Sequence, residues 1–111
     1  MRRQGFLGEF ELMVLLAVMR LGQQAYGVPI SAEIETQTGR EVALSSVYAA
    51  LERLSEKGFV TSFQGEPSDE RGGRAKRFFE VTGKGVKAAR EAQVALTRLW
   101  TGIPKLEGAK A

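Results

Sequence analysis

Between residues 71 and 90 stand Arg71, Arg74, Lys76, Arg77, Lys84, Lys87 and Arg90 against the single carboxylate of Glu80. This stretch carries a net charge of +6, twice the +3 of the whole 111-residue chain, so the remainder is net acidic. Segregated positive charge attracts polyanions, and nucleic acid is the commonest polyanion for a small domain. A solvated basic surface is the competing explanation. Other chemistry is excluded by inventory. With no Cys and no His, the chain lacks the means for disulfides, thiolate or imidazole metal sites, and Ser-His or Cys-His nucleophiles. An enzyme would have to rely on carboxylates, for example Asp69 with Glu66 or Glu70. These fall in a polar, glycine-containing stretch, and a flexible loop neither desolvates nor preorganises an acid-base pair. The expectation is therefore a binding protein with no catalytic residue, no cofactor and no metal.

With 43% hydrophobic and 26% charged residues, the composition is that of one soluble globular domain. The longest apolar run, residues 12–19, is far shorter than the roughly 20 residues a membrane-spanning helix needs. Arg2 and Arg3 precede apolar residues as in a secretory leader, but Glu9 and Glu11 interrupt the run and no small-residue cleavage site follows. The chain reads as cytoplasmic, with no membrane partner.

The elements that would carry the basic stretch follow from periodicity. Phe10, Met13, Val14, Ala17, Val18 and Leu21 mark one face of a first helix, and Leu12, Leu15, Leu16 and Met19 fill its other sides, with Gly22 as the stop. A helix apolar nearly all round needs cover on more than one side, from the core and from a second subunit. Pro29 suits the first turn of a second helix, with Ile30 and Ile34 inward and Gly39 at its end. Residues 40–44 read as a short extended link with Val42 and Leu44 on one side. Ser45 or Ser46 can cap a third helix with Val47, Leu51 and Leu54 inward and Gly58 closing it. The period then changes to two. Residues 59–63 and 76–81 predict a hairpin with a long polar loop between them. Thr82 can cap a last helix, in which Val86, Ala89, Gln93, Leu96 and Trp100 form a seam for lengthwise helix packing. Ala88, Ala92, Ala95 and Leu99 form a smaller stripe beside it. Gly102 and Pro104 end that helix, and residues 105–111 read as a flexible tail.

Three helices and a hairpin, in that order, describe a mainly α fold with a small β-hairpin: a winged helix-turn-helix over residues 1–81, then a C-terminal dimerisation helix over residues 82–104. In this fold the third helix enters the major groove and the hairpin, or wing, lies along the adjacent backbone. The side of the third helix opposite its apolar face shows Ser45, Ser46, Ala49, Arg53 and Lys57. Small residues at its start allow close approach to the groove floor, and Arg53 is suited to guanine or phosphate. Arg53 has a bland alternative in pairing with Glu52 or Glu56 of its own helix, worth only about 0.3 to 0.5 kcal/mol.

Four segments together resemble one family, the PadR-type transcriptional regulators: LGEFELMVLLAV, AYGVPI, SSVYAALERLSEKGFV and ERGGRAKRFFEVTGKG, in this order and at these spacings. The resemblance implies a dimeric DNA-binding repressor on a pseudo-palindromic operator, with the C-terminal helix of each subunit packed on the first helix of the other. Carried over by position, it puts Ser46, Tyr48 and Arg53 at DNA from the third helix, Arg74, Lys76 and Arg77 with Arg71 in the wing, and Tyr26 at the phosphate backbone. The dimer face would use Leu12, Leu16 and Met19 against Val86, Ala89, Gln93, Leu96 and Trp100. Ala43 stands where many relatives carry Ser, so a cap at Ala43 competes with one at Ser45. Tyr48 has two open roles, phosphate contact through its hydroxyl or ring packing beside the core. Trp100 also has two: a buried anchor of the dimer, or a plate on which a small aromatic effector stacks. A protein-interaction module built on the same fold is the rival to DNA binding.

Overall fold

The computed structural model describes residues 7–65 and 76–107. Helix α1 (Glu9–Leu21) ends at Gly22, whose φ of 59° is the left-handed turn that glycine adopts without a Cβ clash. A 3₁₀ turn (Gly22–Gln24) leads to α2 (Gly27–Thr38), which stops at Gly39 with φ 78°. Helix α3 (Leu44–Glu56) follows, then strands β1 (Val60–Gln64) and β2 (Arg77–Val81), helix α4 (Gly83–Trp100) and the one-turn α5 (Pro104–Glu107). The strands pair antiparallel, with Val60 opposite Val81 and Phe63 opposite Phe78. This is the predominantly helical, winged helix-turn-helix architecture that the residue pattern predicts.

The core lies where α1, α2, α3 and the base of the hairpin meet. Val14, Leu15, Ile30, Val47, Leu54 and Phe79 are almost wholly buried there. Burial of each such side chain contributes roughly 1.5–3 kcal/mol. The amide of Phe79 donates to the Ala25 carbonyl at 2.8 Å, so the link before α2 runs beside β2 and ties the wing to the helices. Helix α4 begins on this body: the Thr82 hydroxyl accepts from the Gly85 amide at 3.0 Å, the cap expected of it. Gly85 lies against the Phe59 carbonyl with no room for a Cβ. Ala88 and Ala89 pack on the edge of the core, and beyond them α4 leaves the body.

Several expectations are corrected locally. Helix α3 starts at Leu44 with Ala43 as its N-cap and without a side-chain cap, because the amides of Ser46 and Val47 both reach the Ala43 carbonyl. Ser45 and Ser46 therefore lie in the first turn. The link before it is irregular, as expected, and the Ser31 hydroxyl donates to the Val42 carbonyl at 3.2 Å, which pins the link to α2. Phe59 precedes β1, since its amide closes α3 on the Leu54 carbonyl at 2.9 Å. Residues 104–107 form α5 where a flexible tail was predicted, with Pro104 at the first helical position.

Candidate nucleic-acid interface

The side of α3 turned from the core shows Ser45, Ser46, Tyr48, Ala49, Glu52 and Glu56, all exposed. The start of the helix is small and polar, as groove entry requires. The Tyr48 ring crosses the first turn of α2 so closely that a Cβ on Gly27 would overlap its hydroxyl. The two roles open to Tyr48 thus coincide: its ring packs, and its residue remains exposed. The first turn of α2 has Tyr26 as N-cap with no side-chain cap, which leaves its amides available to an acceptor.

Arg53 and Lys57 are arranged otherwise than their spacing suggested. Both also reach α1, although the Arg53 side chain stays 49% exposed: Arg53 Nε donates to Glu11 Oε2 at 2.6 Å and Lys57 Nζ to Glu11 Oε1 at 2.7 Å. Arg53 does not pair with its own helix. Positions 53 and 57 are one turn apart on the flank next to α1, and Glu11 is 8% exposed, so its charge requires partners. Burial pushes the Glu11 carboxyl up, but the bonds from Lys57 and Arg53, the Lys57 charge and the Gly8 backbone bring it below the usual carboxylate range. The signal for this pairing was Glu11 itself, a carboxylate directly before the apolar run of residues 12–19. The exposure of Glu52 and Glu56 on the same helix was also missed.

The loop end of the paired strands gathers the other predicted contacts. Lys76 Nζ lies 4.9 Å from the centroid of the Tyr26 ring. Tyr26 meets Phe78 edge-on at 5.3 Å, and Phe78 stacks on its cross-strand partner Phe63 at 5.6 Å. Arg77 lies 5.1 Å from the Phe79 ring centroid and 3.7 Å from the Glu52 carboxylate, an exposed and weak pair. Tyr26, Lys76, Tyr48 and the start of α2 therefore share one corner beside α3. Arg71 and Arg74 lie outside the described residues. Lys84, Lys87 and Arg90 are on α4, where Lys84 Nζ lies 5.8 Å from the ring centroid of Phe59, the residue before β1.

Of the predicted dimer residues, Met19 and Ala89 pack at the edge of the chain's own core and Leu12 is half-buried. Leu16, Val86, Gln93, Leu96 and Trp100 are exposed, Trp100 at 58% and its neighbour Leu99 at 73%. An apolar groove of about 420 Å³ runs between α1 and α2, lined by Met13, Leu16, Met19 and Ile34 among others. An open recess of about 430 Å³ adjoins Trp100, bordered by Gln93, Leu96, Thr97 and Thr101. No helix among the described residues is long and apolar enough to cross a membrane.

Solved structures with this fold include a transcriptional regulator from Clostridium thermocellum, 22% identical, with a TM-score of 0.70 over 86% of this chain and 89% of that one. A PadR-like transcriptional regulator from Bacillus cereus is 18% identical, with a TM-score of 0.70 over 91% and 93%. A PadR family transcription regulator from Clostridium difficile is 15% identical, with a TM-score of 0.70 over 91% of this chain and 100% of that one. Among curated proteins, none matches the chain. The sequence pattern of the transcriptional regulator PadR-like family matches residues 15–91, a span that takes in the core helices, the wing and the start of α4. The chain belongs to the PadR-like family of transcriptional regulators, proteins that are not enzymes.

Proposed function

We propose that this regulator is a homodimeric repressor that occupies a pseudo-palindromic operator in double-stranded DNA. The observation that carries this reading is the exposed face of α3, small at its start, with the wing cation Arg77 3.7 Å from Glu52 on that face and Lys76 beside it in sequence. Ser45, Ser46 and Ala49 would meet base edges, while Tyr26, Tyr48, Lys76 and Arg77, with Arg71 and Arg74 between the strands, would hold phosphate. Such a protein acts in the cytoplasm, where its DNA is. Two copies related by a two-fold axis would set their reading helices roughly 34 Å apart, one turn of the duplex.

The dimer reading is supported by complementary surfaces on a single chain: an apolar groove on α1 and α2 and an uncovered apolar arm on α4 and α5. The recess beside Trp100 supports a role in stacking a planar aromatic effector, which would bias the angle between the two halves. Glu52 and Glu56 favour a second reading, because carboxylates on the exposed face of α3 suit a basic protein partner better than a polyanion. Selection of genomic fragments by the purified protein distinguishes the two. Enrichment of a two-fold-symmetric site supports the repressor, and recovery of unenriched DNA or none supports the protein partner.

A further inference from the structure

Helix α3 carries two cations, Arg53 and Lys57, and both are engaged by one carboxylate from another helix. Glu11 lies in the first turn of α1, so these two bonds join the start of that helix to the C-terminal end of α3. An arginine or lysine in that position could reach phosphate only by abandoning Glu11. That exchange would leave a carboxylate uncompensated where water cannot solvate it. The wing differs in its carboxylate: the Arg53 and Arg77 side chains are equally exposed, but the Glu52 side chain, 3.7 Å from Arg77, is 61% exposed where that of Glu11 is 10%, so phosphate can replace Glu52 at little cost. With its cations held, α3 presents Glu52 and Glu56 as its outward charges, and these repel any phosphate not brought close by correct base contacts.

We infer that Glu11 sets the selectivity of DNA binding, by keeping Arg53 and Lys57 from gripping phosphate irrespective of sequence. The inference rests on the DNA-binding reading above and makes Glu11 a positioning residue, since it touches α3 and not the duplex. Non-specific affinity comes almost entirely from phosphate neutralisation, with each contact adding about 0.9 to the slope of log affinity against log salt. Releasing two cations would steepen that slope by up to about two. Across about 50 to 200 mM salt, the extra loss of affinity would be about tenfold.

The test uses Glu11→Gln in the full chain, titrated against a random-sequence duplex and against the genomic fragment that the unaltered protein selects. The expected result is a steeper salt slope on both duplexes, tighter binding to random DNA at low salt and a smaller ratio between the two affinities. An unchanged slope and ratio, even with a lowered melting temperature, would overturn the inference and leave Glu11 a purely structural link. Lys57→Gln retains the Glu11–Arg53 pair and serves where Glu11→Gln does not fold. It should leave the slope of the random duplex unchanged, whereas Lys76→Gln should flatten it by about 0.9. Equal flattening by Lys57→Gln and Lys76→Gln would overturn the inference while the DNA-binding reading stood. Failure of the unaltered protein to bind any duplex would remove both.

Discussion

In the winged-helix body Val14, Leu15, Ile30, Val47, Ala50 and Leu54 have no exposed surface, whereas in the second half of α4 Leu96, Leu99 and Trp100 stand in solvent. Both regions are amphipathic in sequence. The body closes because four elements converge on it within one chain. Among the described residues no element of the body covers the arm after Ala92, so its apolar stripe stays in solvent. The body is thus the part a single copy can stabilise, and in the proposed dimer the arm is the part whose burial would depend on concentration.

This contrast can be broken at its strongest point by Phe79→Ala, which empties the junction of wing and helices. It should cost about 3–5 kcal/mol in denaturant unfolding and loosen the wing. Next in size is the acid limb of stability. Glu11 lies below its ordinary value of 4.5 in the folded chain, so it contributes stability above that value and loses it as pH falls through the folded value. Unfolding midpoints of the unaltered protein and Glu11→Gln should therefore differ at pH 7 and converge at strongly acidic pH. A constant gap would place the effect of Glu11 in packing and not in charge. Thr82→Ala removes the cap that attaches the arm to the body and should cost about 1 kcal/mol.

The smallest effect on the isolated fold is expected from the arm. Leu99→Ser should change the stability of the monomer by less than about 0.5 kcal/mol, as measured at dilution. In the proposed dimer, Leu96→Glu combined with Trp100→Ser should convert sedimentation from a dimer to a monomer without loss of helicity. The melting temperature of the unaltered protein should rise with concentration, and that of this variant should not. A concentration-independent melting temperature in both would mean that the arm is covered by something other than a second copy.

Much of the architecture was legible along the chain because it is written in local chemistry. Gly22 and Gly39 adopt positive φ and stop their helices, Thr82 caps α4, and the switch from a period of three or four to a period of two locates the hairpin. The site was legible only where it is local too. Ser45, Ser46 and Ala49 face outward as a wheel of α3 predicts, and Lys76 and Arg77 stand where β2 begins, at the loop end of the wing. What was not legible lies at contacts between elements: Arg53 and Lys57 are engaged by a carboxylate on α1.

What residue order alone determined is the succession of elements, their stops and the residue types each face displays, since propensity, capping and periodicity act within a few residues. Tertiary structure decided which charges remain available. Arg53 and Lys57 meet Glu11 across separations of 42 and 46 residues, and Phe79 joins Ala25 across the whole helix-turn-helix. Such pairings arise when burial of the apolar faces brings distant segments together, because a charge removed from water takes the nearest opposite charge that the fold provides.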